Sequence, residues 1–536
     1  MTSKGLQRLL GAPLGAQDFG SEHAVKIIKD LLKGLENLHF IDKAQLEFFI
    51  LKHCDATKAT HLTRLLPPET AQNALKEFEA RIRAELDRIQ GGAKMPDRAW
   101  EQAKQPVRTC GLGLQDNTLT APANYAAAMG DVARMNERLI KDFTQEDHMG
   151  PVMKVSAQIR KDQELAQIVE ELRERTEDAT TENICPQVDQ IEHFPTQKQI
   201  SRVLYDIKNK QLIQQAGADF QDAQMKLRHK NWLISQSQVG AGAQFKALAG
   251  KKEHKFYIED TTFRIMLQLF LMLKIPELPK RCACGQTLDS YGHHYLVCNK
   301  CPTGGDDAQQ KSFQYQRHNN LRDAHIKFTK KYLKLTLSTK SQNAIRNQPY
   351  LKPGDSVANA EFYNTAKDMY LDYTIVNPIA PTSLAKNKSA IPLKTVTDAE
   401  EKKIEEFREV LYTNRIDYED APFEKKPLGF EITGAMGKGM KDHVKQMHKK
   451  YLSQFPEGKS VPTLQQQGDE EHTWTANSFT PMLHQTLALQ ITKDAAVAIK
   501  TRRRDAISEG VPRQPQDARV TINFRRNNDT GSLDLH

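Results

Sequence analysis

The chain has 536 residues, 39% of them hydrophobic and 27% charged, with 76 Lys and Arg against 67 Asp and Glu for a formal charge of +9. This length exceeds one ordinary domain and predicts a modular protein. Apolar clusters recur along most of it, which excludes full disorder. The longest apolar stretch, residues 263–275, is interrupted by Arg264, Gln268 and Lys274 and falls short of the roughly 20 uninterrupted residues a bilayer requires. The opening MTSKGLQRLLGAPLG has no continuous apolar segment before a cleavage site, so a nuclear or cytoplasmic address is expected. The moderate basic bias permits polyanion binding.

Over residues 21–51 apolar side chains recur at helical spacing (Val25, Ile28, Leu31, Leu32, Leu35, then Leu46, Phe49, Ile50), predicting two amphipathic helices. Pro67 and Pro68 interrupt the next stretch, and residues 69–89 resume it with Leu75, Phe78, Ile82 and Leu86 on one stripe. Gly91 and Gly92 break the pattern. The turn at 111–114 leads into a helix over 123–143, and helical periodicity continues over 157–177 and 194–232. Near Pro276 the chain becomes turn-rich, then helical over 319–333. A strand is predicted over 369–376, a helix over 398–412 and a second strand over 428–433, an α/β signal. Helix is expected again to about Ser453 and over 482–502, before a basic tail carrying Pro512, Pro515, Arg525 and Arg526. The fold class expected is α+β: a helical region over 1–150, a helical extension over 151–275, a zinc-stabilised connector with a basic helix over 276–335, a small α/β core over 336–455, and a helical, basic, flexible segment over 456–536.

The row RCACGQTLDSYGHHYLVC puts Cys282 and Cys284 either side of one residue, with His294 and Cys298 following at helical-turn spacing. Three thiolates and an imidazole in 17 residues suit tetrahedral Zn2+, and a shell closed by four protein ligands leaves no water position. Structural zinc is the role expected, supplying folding free energy to a segment short of large apolar residues. His293 and Cys301 are competing ligands. The other cysteines, Cys54, Cys110 and Cys185, are scattered.

Downstream, Asp355 in LKPGD, Asp372 in YLDYTIV and Glu431 in GFEITG accompany Lys402 and Lys403 on the intervening helix. Phosphodiester hydrolysis needs such an inventory: carboxylates hold hard Mg2+, the metal polarises the phosphate, and a lysine orients or deprotonates water. In a chain with 67 acidic residues, solvated surface carboxylates are the competing explanation. Arg317, His318, Arg322, Lys327, Lys330, Lys331 and Lys334 flank this region, the lysines as one helical stripe able to track a phosphate backbone. Gly305, Asp306 and Asp307 lack the flanking apolar strands of a polymerase palm.

The block Cys282, Cys284, Gly285, Leu288, Asp289, Gly292, His294, Leu296, Cys298, followed by Arg317-His318-Asn319, LDYTIVNP and FEITGAMGK, resembles the carboxy-terminal region of non-LTR retrotransposon polyproteins. There a CCHC zinc knuckle precedes a restriction-like endonuclease of the PD-(D/E)xK type. Leu10 to Gly15 resembles the segment leaving the reverse transcriptase palm, and Arg64-Leu65-Leu66-Pro67-Pro68, Gly111-Leu112-Gly113-Leu114 and Ala121-Pro122 resemble the thumb-side helical extension of the same polyproteins. The resemblance implies magnesium ligands at Asp355 and Asp372, with Asp368 as a substitute for the first, and a catalytic lysine at Lys403 or Lys402. Two departures stand out: Gly354 precedes Asp355 where the family has proline or a basic residue, and Glu406-Phe407 stands where it has Lys-Tyr. The polymerase palm is absent from the chain. The expectation is a metal-dependent DNA endonuclease with catalytic Asp355, Asp372, Lys403 and Glu431. Zinc would be held by Cys282, Cys284, His294 and Cys298, and nucleic acid by Arg317, His318, Lys327, Lys330, Lys331 and Lys334. Its partners would be DNA, element RNA and a separate polymerase chain. The alternative is an inactive, zinc-containing nucleic-acid-binding remnant.

Overall fold

The computed structural model describes residues 7–9, 12–14, 17–142, 158–159, 161–177, 184–249, 251–282, 284–298, 312–339, 353–363, 365–386, 388–416, 421 and 423–508. Cys301, the Gly305-Asp306-Asp307 turn and the basic tail lie outside them. The described fold is mixed α+β, mostly helical, with an antiparallel strand pair, β1 (Gln7–Leu9) and β2 (Ala12–Leu14), and one three-stranded sheet.

The amino-terminal helices form where apolar spacing predicts them: α1 (Gln17–Leu35), α2 (Ala44–Ile50), α3 (Thr60–Leu65) and α4 (Pro68–Gln90). Pro68 opens α4, where its missing N–H is harmless, and Gly91 at φ 128° ends it. The stripe Leu75, Phe78, Ile82 and Leu86 is fully buried, and α1 packs on it through Ile28 and Leu35. Then follow α5 (Asp97–Lys104), α6 (Asn117–Asp142), α7 (Gln163–Glu177), α8 (Gln197–Gln214), α9 (Ala223–Gln236) and α10 (Asp260–Phe270). A separate core joins α6, α7 and α8 through Ala123, Leu165, Val169, Leu172 and Ile200. The interrupted apolar stretch is α10, whose polar Gln268 is buried and donates to Gln90 O at 2.9 Å. Among the described residues, no helix is long and apolar enough to cross a membrane.

The carboxy-terminal half is built round the basic helix α11 (Phe313–Leu333) and a sheet of order β3-β4-β5, with β3 (Ser356–Ala358), β4 (Asp368–Val376) and β5 (Phe423–Glu431). β3 runs antiparallel to β4; β5 runs parallel to it, in register Asp372↔Pro427, after a crossover through α12 (Lys394–Thr413). Pro427 cannot donate to a ladder, which its place on an edge strand tolerates. Ser338 adds a single antiparallel bridge on the outer side of β3. Then come α13 (Lys438–Leu452) and α14 (Phe479–Ser508).

The helix expected over 482–502 forms as α14, and it is a central core element instead of part of a flexible segment. Leu483, Leu487, Ile491 and Ile499 have no exposed surface, and the helix packs against both α10 and α11. One apolar core therefore runs from Ala24 to Ile499 and unites helices of the amino-terminal half with the sheet.

Candidate functional site

The zinc candidate forms through two tight turns. Gly285, at φ 87°, lets the chain reverse so that its N–H reaches Cys282 O at 2.8 Å, while Arg281 and Thr287 bridge across the turn. Gly292, at φ 76°, starts the single helical turn His293–Leu296, and Cys298 N–H closes it onto His294 O at 3.0 Å. The sulfurs of Cys282, Cys284 and Cys298 and a ring nitrogen of His294 all lie within 4.8 Å of one another. Cys282 Sγ is 3.7 Å from Cys298 Sγ, and Cys284 Sγ is 3.3 Å from His294 Nε2. A tetrahedral ion with Zn–S bonds of 2.3 Å separates two sulfurs by about 3.8 Å, which the Cys282–Cys298 pair matches, so this Cys3His cluster could bind zinc. His293 stands apart: it is buried and pairs with Asp289 at 3.7 Å, so spacing alone left open what the turn decides. Tyr295 and Leu296 anchor the knuckle in the main core.

The acidic cluster is assembled by β4. Alternation sends Leu371 and Tyr373 toward the main core and Asp372 toward α12. The Asp372 carboxylate is 6% exposed; Lys403 Nζ approaches its Oδ1 at 3.3 Å and Lys425 Nζ, from β5, its Oδ2 at 2.6 Å. Asp355 precedes β3, and its Oδ2 accepts from Tyr373 N at 2.9 Å and lies 3.1 Å from His318 Nε2. Burial pushes the Asp355 carboxyl up, but the hydrogen bond and charge of His318, with a contribution from Lys403, bring it below the usual carboxylate range. Burial likewise opposes charging His318, and Asp355 outweighs it to raise that pKa. Asp355 and Asp372 thus lie at one sheet, with Lys403 paired to Asp372 and its charge acting on Asp355. Gly354 is required there because a Cβ would lie 2.9 Å from Leu371 O.

Lys403 is aimed by a neighbour on its own helix. Glu400 Oε1 accepts from Gly429 N at 2.9 Å and Gly439 N at 3.2 Å, seating α12 against β5 and the start of α13. A side chain at Gly429, Gly437 or Gly439 would collide with Glu400 or with Pro427 O, which accounts for the glycines around FEITGAMGK. Lys402, by contrast, points to solvent beside Glu406 at 3.5 Å. Asp368 is exposed and accepts from Ala360 N at 2.9 Å, so it serves a local turn.

Three expectations need correction. Glu431 lies four residues beyond the Asp372 register, about 13 Å along the strand, and is buried against α9. Ser235 Oγ donates to its Oε2 at 2.5 Å, and burial pushes its pKa up to about 7. Arg317 is buried, its Nη2 donating to Leu296 O at 3.4 Å; it ties α11 to the zinc turn instead of meeting a solvent-borne phosphate. All four lysines of the stripe are exposed, but Lys331 is engaged by Asp469 at 2.7 Å and Glu471 at 2.6 Å, and Lys334 Nζ donates to Lys331 O at 3.1 Å.

Sequence reasoning missed Lys425, because β-pairing across 53 positions carries no local signal. It also missed a polar network behind the sheet. His325 Nδ1 meets Tyr373 OH at 2.6 Å, its Nε2 faces His443 Nε2 at 3.1 Å, and His443 Nδ1 meets Tyr363 OH. Burial keeps both imidazoles neutral, pushing His325 down to about 3, so the network fastens α11 and α13 to β4. In front, a groove of about 670 Å³ is lined by His318, Thr374, Ser383, Thr395 and Lys403. No protein-family model matches the chain, and no curated protein matches it.

Proposed function

We propose that the chain is a metal-dependent DNA endonuclease related to the restriction-like enzymes of non-LTR retrotransposon polyproteins, with a structural zinc knuckle. The observation that carries this reading is the meeting of Lys403 with Asp372 at 3.3 Å while its charge also acts on Asp355. Three groups from separate segments share one site, and His318 and Lys403 line the adjoining groove. The order of elements, a helix, an antiparallel strand pair, a crossover helix and a parallel strand, supports a small restriction-like core.

In this reading Asp355 and Asp372 supply the oxygen ligands for Mg2+, which contributes Lewis-acid charge at the scissile phosphate. Lys403 stabilises charge developing on the phosphoryl oxygens and orients the attacking water. Glu400 holds the lysine in register. His318 and the exposed Lys327 and Lys330 position the DNA backbone without reading bases. Zinc on Cys282, Cys284, His294 and Cys298 pins the connector against α14, where Gly292 comes within about van der Waals contact of Ile499.

One observation favours a second reading, an inactive zinc-containing nucleic-acid-binding protein: Lys425 and Lys403 already neutralise a nearly inaccessible Asp372. Nicking of supercoiled plasmid with Mg2+ separates the two. Endonuclease function requires open circles from the wild type and a loss of at least about 100-fold in Asp355→Asn and in Lys403→Ala. Equal rates in wild type and variants, or DNA retention with no cleavage at all, defeats it.

A further inference from the structure

In the amino-terminal half, α2 runs into a π-helical turn, Leu51–Asp55, that contains Lys52 and His53. π-turns are rare and persist mostly where they place functional side chains. Lys52 is 5% exposed, its Nζ donates to Phe245 O at 3.2 Å, and the one charge acting on it is that of another cation, Lys246. Burial therefore pushes this ammonium down to about 7. His53 Nε2 is buried without a hydrogen-bond partner, and the charges bearing on that ring are again Lys52 and Lys246. Lys246 also acts on His484 of α14. No carboxylate acts on Lys52, His53 or His484, and burial with the neighbouring lysines pushes His53 down to about 4, so the accessible charge here is that of the exposed Lys246. A buried ammonium is costly unless an anion compensates it.

An aromatic platform adjoins this cluster. Trp474 is 58% exposed, yet its ring is fixed against His53 at 4.7 Å and Phe49 at 5.5 Å between centroids. The next residue ties it to the cations: Thr475 Oγ1 donates to Lys246 O at 2.6 Å. A rigid, open indole beside an exposed, uncompensated lysine, Lys246, is the combination that binds unpaired nucleotides, with the base stacking on the ring and the phosphate meeting the charge. Duplex DNA hides its base faces and cannot use the ring.

We propose that Trp474, His53 and Lys246 form a binding site for single-stranded nucleic acid, separate from the Asp355–Asp372–Lys403 site and independent of its activity. The full-length protein is titrated with a fluorescein-labelled oligothymidylate of about ten nucleotides, within the usual footprint of such sites, without divalent metal. Two signals are read: anisotropy of the label, and intrinsic fluorescence. Trp100 and Trp232 are 7% and 5% exposed, so quenching of the three-tryptophan signal reports Trp474. Saturable quenching is expected, weakening as salt rises. Trp474→Ala, a surface change, is expected to abolish the quench and lower affinity at least about fivefold, the low end for one base stack. Trp474→Phe retains most of the affinity, and Lys246→Glu lowers it by a similar factor. An unaltered anisotropy titration in Trp474→Ala would overturn the site. Heparin, a polyanion without bases, quenching and binding as well as the oligonucleotide would also overturn it, leaving a plain anion patch.

Discussion

The four ligand atoms within residues 282–298 face one another, whereas the carboxylates of Asp355 and Asp372 face cations that the protein itself supplies. The first arrangement gathers three thiols and an imidazole within 4.8 Å, a set that could hold a metal ion. The second is already neutralised by Lys403, Lys425 and His318, so it holds its shape without metal, and any divalent cation must displace an internal partner. Convergence of the right residues is common to both sites; what differs is whether the fold leaves their charge for a ligand to answer.

The largest effect that sharpens this contrast is on the zinc side. The purified chain is expected to carry one zinc, and Cys284→Ser to lose most of it with a fall in Tm of at least about 10 °C, since structural zinc contributes many kcal/mol to folding. Elemental analysis and a thermal melt check both, and undiminished zinc in that variant breaks the ligand assignment. On the acidic side, Asp372→Ala strands Lys425, whose side chain is 8% exposed, and is expected to destabilise by about 3–5 kcal/mol in urea unfolding. Pairing it with Lys425→Met should recover most of that loss; a double variant no more stable than the single would show that the pair does not govern the cluster.

A smaller, pH-dependent effect tests the separation of Glu431 from that cluster. Its folded pKa of about 7 lies above the unfolded value near 4.3, so the buried group disfavours its ionised form. Stability is lost as pH rises from about 4 through about 7 and levels off beyond, amounting to about 3 kcal/mol. Glu431→Gln, which keeps an acceptor for Ser235 Oγ, should match the wild type near pH 4 and exceed it by up to that amount at pH 8. A constant difference across the range would contradict the burial-driven shift.

Much of the secondary structure was readable because apolar periodicity is local. Helix 69–89 appears as Pro68–Gln90, strand 369–376 as Asp368–Val376 and helix 398–412 as Lys394–Thr413. The Cys/His cluster was readable for the same reason, since two turns bring its ligands together. Strand β3 went unseen: three residues, Ser356–Ala358, are too few for an alternation signal. The π-turn and Trp474 were also missed, because an exposed tryptophan in a loop gains meaning only from the helix it rests on.

By itself the sequence determined many of the helices, strands β4 and β5, and a group of ligands able to share a zinc ion, since these follow from side chains a few residues apart. Only the tertiary structure decided that Lys403 turns inward while Lys402 faces water, that Lys425 reaches Asp372, and that Glu431 and Arg317 are buried elsewhere. The physical reason is that a charge's role depends on the partners and the dielectric that packing assembles round it, and those come from distant parts of the chain.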